Sequence, residues 1–287
     1  MSPLLKTLCA AALGLLTARV HAASPACEVD AQLKLERITE RTILVGETHG
    51  NEQAPAFVAR LVCGLLAQHR PVIVALERAD AEQVSTERFL ASAGTAADVR
   101  ALLGQRGWNM AMQDGRSSQA VFRLLDQLRQ WRQTGQPVEL VMMRKPPRFE
   151  VPDSSASVPR LDDNALQAQE DLDMADSVTA ALQRHPTHVA VVFAGTFHTV
   201  VGSKTHRDMI GAPSMGDVLA SRGPVHVIGL GGGAGETWAC LRAKGCGPTP
   251  LSGGPWDLPD ARIDTRVHLG PVTASGPAVR RQPEMRE

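Results

Sequence analysis

Two short segments carry the residue types that move protons. Gly46-Glu47-Thr48-His49-Gly50 and Gly195-Thr196-Phe197-His198-Thr199 each place an imidazole three positions after a glycine, directly behind an apolar run (Thr42 to Val45 and Val189 to Ala194). A third apolar run, Val72 to Leu76, ends in Glu77 and Arg78. A neutral imidazole with an ordinary pKa of about 6.5 can take a proton from water, and a carboxylate on its other N–H fixes the tautomer and stabilises the imidazolium. His49 and His198, with Glu47 and Glu77, are therefore the candidate catalytic set, and the chemistry they suit is hydrolysis rather than redox or group transfer. Arg78, Asp114, Arg116 and Arg144 are the candidate substrate-binding groups, since a guanidinium holds a substrate anion or a developing oxyanion. The Gly-x-x-His spacing alone says little: with 25 glycines and nine histidines, about one match arises by chance. Gly223-Pro-Val-His226 is read as such an accident because it precedes an apolar run instead of following one.

A parallel sheet is the element that would position these groups. Thr42 to Val45, Val72 to Leu76, Val138 to Met143 and Val189 to Ala194 are continuous and rich in β-branched residues, as strands covered on both faces are, and Val225 to Leu230 follows as a fifth. Helical patterns lie between them near 54–68, 81–90, 96–103, 118–132 and 164–183. The alternation predicts an α/β fold, a mostly parallel β-sheet flanked by helices, with the Gly-x-x-His motifs at the C-terminal ends of two strands. Ligands of open α/β sheets collect outside those ends, where glycine lets the chain turn sharply. Stretches 146–160 and 247–259, rich in proline, read as surface loops, and Gly229 to Gly235 as a flexible turn rather than a dinucleotide loop. Ser117 suits either a pocket mouth or a helix N-cap. Met142 and Met143 read as core, Asp171 and Asp173 as a solvated helix face, and His185, His188 and His206 as surface loop residues.

Composition narrows the function classes. With 287 residues, 43% hydrophobic and 21% charged, the chain has material for a large core. Thirty basic and thirty acidic residues leave no field directed at nucleic acid or an anionic membrane. With no tyrosine and 3% aromatic residues, tyrosinate haem ligation and base-stacking platforms are both excluded. Neither Gly-x-Ser-x-Gly nor His-Glu-x-x-His occurs.

Residues 1–22 read as a cleaved signal peptide, with Lys6, an apolar run from Leu8 to Thr17, and Val20 and Ala22 before the cut. That run is shorter than the roughly 20 residues of a membrane span. The expectation is a periplasmic or secreted protein without a membrane span, comprising a single α/β domain over 23–279 and a flexible tail over 280–287, with its oligomeric state open. Export leaves Cys27, Cys63, Cys240 and Cys246, an even set with three possible pairings in an oxidising compartment. A five-residue loop between Cys240 and Cys246 suits a clipped hairpin, which leaves Cys27 for Cys63. A zinc site lacks any Cys-x-x-Cys spacing.

The segment Ile43-Leu-Val-Gly-Glu-Thr-His-Gly50 resembles the opening motif shared by erythromycin esterases, ChaN haem-binding proteins and the Tiki and TraB group. The run ending in Glu77, the segment Asp171-Leu-Asp-Met-Ala175 and the closing Gly195-Thr-Phe-His198 follow in the order of that superfamily, and Trp108 to Ser117 resembles a feature of secreted ChaN-like proteins. The esterase likeness implies His49 as general base on a water, helped by Glu47, Glu77 and His198. The Tiki likeness implies a divalent metal such as Mn, Zn or Co at His49, Glu47 and His198. ChaN binds haem through tyrosine, which this chain lacks, so a haem or metal-chelate carrier would need His or Met ligation. A small-molecule substrate or a haem-like ligand is the expected partner. Because Glu47 and His49 are two residues apart and Arg78 adjoins Glu77, the residues favour a metal-independent base.

Overall fold

The computed structural model describes residues 27–279 except 29, 31, 111–112, 147–162 and 242–243. The expected leader, the expected tail and nearly all of 146–160 lie outside the described residues. In chain order the elements are β1 (Thr42–Glu47), α1 (Gln53–Ala67), β2 (Val72–Ala79), α2 (Gln83–Leu90), α3 (Ala96–Leu103), α4 (Gln119–Gln133), β3 (Val138–Arg144) and α5 (Asp163–Arg184). Then follow β4 (Val189–Gly195), α6 (Thr196–Thr199), α7 (Lys204–Ile210), α8 (Met215–Arg222), β5 (Val225–Gly232), β6 (Gly235–Leu241), β7 (Gly245–Leu251), β8 (Gly254–Pro255) and β9 (Thr265–His268).

The main sheet has seven strands in the order β3-β2-β4-β1-β5-β8, with β9 also on β5. Every pairing is parallel except β5 with β8, so the expected mostly parallel α/β sheet is what the chain forms. Alternate side chains of each strand enter two separate cores. Ile43, Val45, Val74 and Leu76 pack with α1, α2 and α4 on one face. Leu44, Ile73, Ala75 and Val192 pack with α5 and α8 on the other. Covering both faces is why these strands are apolar without a break. Register then sets the site: Glu47 pairs with Gly195 and Leu76 with Phe193, so both Gly-x-x-His segments and Glu77 leave neighbouring strands at one level.

Several expectations are corrected. Gly229 to Gly232 are buried strand rather than turn. Bare glycine backbone lets other chain pass: a Cβ on Gly231 would lie 2.7 Å from the Gly254 carbonyl oxygen, and one on Gly232 would lie 2.4 Å from a Val272 methyl. The stretch 247–259 is not all loop, because β7 pairs along its length with β6. Pro248 and Pro250 fall on alternate residues and remove donors from one side only, which an edge strand tolerates. Cys240 lies directly opposite Cys246 in this hairpin, and the two are bonded, as are Cys27 and Cys63. Asp171, Asp173 and His206 are buried, not solvated.

Candidate active site

His49 stands on the turn that follows β1. Gly50 makes that turn with a left-handed φ of 82°, and a Cβ there would lie 2.1 Å from the Trp238 carbonyl oxygen. Asn51, fully buried, accepts the Ala54 N–H at 2.8 Å and donates to the Thr48 carbonyl at 2.5 Å, tying the turn to α1. The β6–β7 hairpin braces it from outside: Trp238 N–H donates to the Gly50 carbonyl at 2.8 Å, and the Thr237 hydroxyl donates to the His49 carbonyl.

The glycines at the two strand ends serve close approach, not the sharp turn the sequence suggests. Neither has a left-handed φ. A Cβ on Gly46 would come within 2.5 Å of Thr199 Oγ1, and one on Gly195 within 3.1 Å of His49 Nε2 and 3.4 Å of Glu77 Oε2.

The ionisable groups form an alternating row of carboxylates and imidazoles. Glu47 Oε1 lies 2.8 Å from His49 Nδ1, and His49 Nε2 lies 3.3 Å from Glu77 Oε2. Glu77 Oε1 lies 3.6 Å from His198 Nε2, whose Nδ1 lies 2.7 Å from Asp171 Oδ1 and 2.9 Å from the Gln167 amide nitrogen. Glu77 also accepts the Gly195 N–H at 2.8 Å and a hydrogen bond from Arg116. The row runs inward from the surface: the side chain of His49 is 22% exposed, that of His198 10%, and that of Asp171 0%. Beyond Asp171, His206 Nε2 lies 3.8 Å away, with its ring against Phe197.

Charges in this row reinforce one another. Burial pushes the His49 imidazolium toward losing its proton, but the carboxylates of Glu77 and Glu47 outweigh that and raise its pKa to about 10. Burial likewise pushes Glu77 up, and His49, His198 and Arg116 override it, holding the carboxyl well below its ordinary range. His198 is raised against its burial by the hydrogen bond to Asp171 and by the charge of Glu77. The resting pocket therefore holds an ionised Glu77 and a protonated His49 at neutral pH.

Beside Glu77 opens a cavity of about 360 Å³, and Arg78, Asp114, Arg116 and Arg144 all line it. Each has a partner. Arg116 bridges Glu77 and Asp114, and Arg144 pairs with Glu170. Arg78, its side chain 4% exposed, binds Glu82 and the Arg116 carbonyl and stacks 4.1 Å from the Trp108 ring, a buttress more than an open ligand. Ser117 also lines the cavity, and Ser118, not Ser117, caps α4 by accepting the Val121 N–H. A recess of about 10 Å³ lies over His49 between Glu47, Glu77, Arg116, Val121 and Phe193. The sequence pattern puts Asp171 on a solvated helix face, although a contrary signal exists: positions 171, 174, 175 and 178 form one helix face, and Met174, Ala175 and Val178 are core.

No protein-family model matches the sequence, and no curated protein matches it. Solved structures do resemble the fold. A Bacillus cereus protein superimposes with a TM-score of 0.59 at 12% identity over 82% of this chain and 89% of its own. A succinoglycan biosynthesis protein gives 0.59 at 8% identity over 88% and 95%. Erythromycin esterase EreC, in its open conformation, gives 0.50 at 11% identity over 74% and 76%. The chain thus shares its fold with these solved structures.

Proposed function

We propose that the chain is a hydrolase in which His49 activates a water against an ester or amide bond of a small molecule held in the cavity beside Arg116. The observation that carries this reading is Glu77, placed between two imidazoles that are each backed by a further carboxylate. The recess of about 10 Å³ over His49 has room for one water molecule. In the proposed step the water oxygen bonds to the carbonyl carbon while its proton passes to His49 Nε2. Arg116 faces the oxyanion, and the imidazolium returns the proton to the leaving oxygen or nitrogen as that bond breaks. Glu47 fixes the Nδ1 proton, and the His198–Asp171 pair holds Glu77 from behind. Because the resting His49 is protonated, the base form belongs to the alkaline side.

The pocket donors fit a divalent metal poorly. Both nitrogens of His49 already face carboxylates, and the Arg116 guanidinium on Glu77 would repel a dication. The recess of about 10 Å³ over His49 admits a water but no haem, which counts against a haem carrier. Two disulfides support export to an oxidising compartment, and no helix among the described residues is long and apolar enough to cross a membrane.

The test is a panel of ester and amide substrates assayed before and after EDTA, with Mn, Zn and Co added back and haem titrated in parallel. Turnover that survives EDTA and falls at least a hundredfold in His49→Ala is the expected result. Activity lost to EDTA and restored by a metal would overturn the metal-free scheme. A saturable Soret band that His49→Ala and His198→Ala abolish, without turnover of any substrate, would replace hydrolysis by ligand carriage.

A further inference from the structure

The opposite edge of the sheet, where the strands begin, holds a second convergence of donors. Glu139 is the second residue of β3, His188 immediately precedes β4, and His185 follows the last turn of α5. One ligand atom from each of the three lies within 4.8 Å of the other two, and all three residues are half-buried, open enough to exchange with solvent. From this geometry we infer a divalent-cation site built by Glu139, His185 and His188, suited to Zn²⁺ or to the similar Co²⁺ and Ni²⁺.

Two imidazoles and one carboxylate are a donor set that borderline cations favour, and three protein ligands leave a position for water. Local structure holds the donors together. The His188 N–H donates to the His185 carbonyl at 3.1 Å, and the two rings sit with centroids 4.9 Å apart at 59°, tilted rather than stacked. Glu139 points to the same side of the sheet as Val141 and Met143, the face that α5 covers. The C-terminal end of a 22-residue helix also favours a cation.

Two arginines are close, and neither closes the site. Arg132 touches Glu139 at 3.2 Å but also binds Glu87, so it keeps a partner if the Glu139 carboxylate turns to a metal. Arg41 donates to the backbone carbonyls of Leu182, His185 and His188, which opposes a dication by charge but engages none of the three ligating side chains. Occupation would tie the end of α5 to the start of two strands, far from the row around Glu77. This inference does not rest on hydrolysis.

Calorimetric titration of untagged, EDTA-stripped full-length protein with ZnCl₂ tests it. One Zn²⁺ per chain should bind, and His185→Ala, His188→Ala and Glu139→Gln should each weaken it at least tenfold while His49→Ala leaves it unchanged. Titration with Co²⁺ checks the ligand set independently of stability, because the visible bands of a tetrahedral site should be lost in a folded His188→Gln variant. No saturable Zn²⁺ binding would overturn the inference, as would binding that survives His188→Ala or disappears in His49→Ala.

Discussion

Asp171 Oδ1 lies 2.7 Å from His198 Nδ1, and the opposite nitrogen of the same ring faces Glu77 at 3.6 Å. The fully buried carboxylate of α5 thus orients the imidazole that stands behind the pocket glutamate, although Asp171 lines neither the cavity beside Glu77 nor the recess over His49. In the proposed hydrolysis Asp171 is a positioning residue, acting through His198 and Glu77 on His49.

Replacing Asp171 by Asn keeps the volume and removes the charge. His198 should then lose part of the support that raises its pKa, which an imidazole NMR titration reads directly. We expect kcat to fall about tenfold to a hundredfold with KM nearly unchanged, a fraction of the full effect of acid–base catalysis. An unchanged His198 titration in a folded Asp171→Asn variant would remove the positioning role.

Gly195→Ala separates space from backbone conformation. Gly195 has φ −53° and ψ 141°, ordinary values for any residue. The added methyl meets His49 Nε2 at 3.1 Å and Glu77 Oε2 at 3.4 Å, so the row must open by a few tenths of an ångström. Thermal stability should change by less than about 1 kcal/mol, because the smaller unfolded-state entropy of Ala offsets the contact. Activity should fall by tenfold or more. Full activity in this variant would show that the spacing between His49 and Glu77 does not matter to the reaction.

The sequence made the strands legible because each is apolar throughout, and it made His49, His198 and Glu77 legible because they stand where those runs stop. Strand order was not legible: β4 enters between β2 and β1, and only long-range pairing decides that. Asp171 was misread because a charged residue on a helix is usually solvated, whereas here its carboxylate and the His198 imidazole supply each other's partner in the dry interior. His206, read as a surface loop residue, is buried in α7 with its ring against Phe197. Helices α6 and α7, four and seven residues long, escaped because they carry too few turns for a periodic pattern.

The two disulfides should contribute unequally. Cys27 and Cys63 are 36 residues apart, and Cys240 and Cys246 are six apart. Loop-closure entropy gives about 4 kcal/mol for the longer loop and about 2 kcal/mol for the shorter. A non-reducing peptide map should show these two linked pairs and no free thiol. Chemical denaturation of the double serine variants should rank Cys27/Cys63 as the costlier loss, and the reverse order would mean that the hairpin disulfide braces the His49 turn as well as the unfolded chain.

The pH dependence follows from His49 and Glu77 together. The folded pocket raises the His49 pKa to about 10 from an ordinary 6.5, so the stabilisation it gains is complete below about pH 6.5 and is lost as pH rises through about 10. Glu77 is depressed from an ordinary 4.5, so its contribution is present above that value and is lost as pH falls. Stability should therefore decline on both sides of a plateau between about pH 4.5 and 6.5. Under the proposed hydrolysis catalysis should have a different optimum, because kcat/KM reports the free enzyme and the water-activating form of His49 would be the deprotonated one. The rate should climb with pH well past 7, and Glu47→Gln should move that limb down by removing one of the two charges that hold the proton. NMR titration of the His49 ring measures the same pKa without any substrate. A midpoint at or below 6.5 would mean that the two carboxylates do not govern this imidazole, and a kcat/KM profile already flat at pH 7 would mean that His49 is not the base.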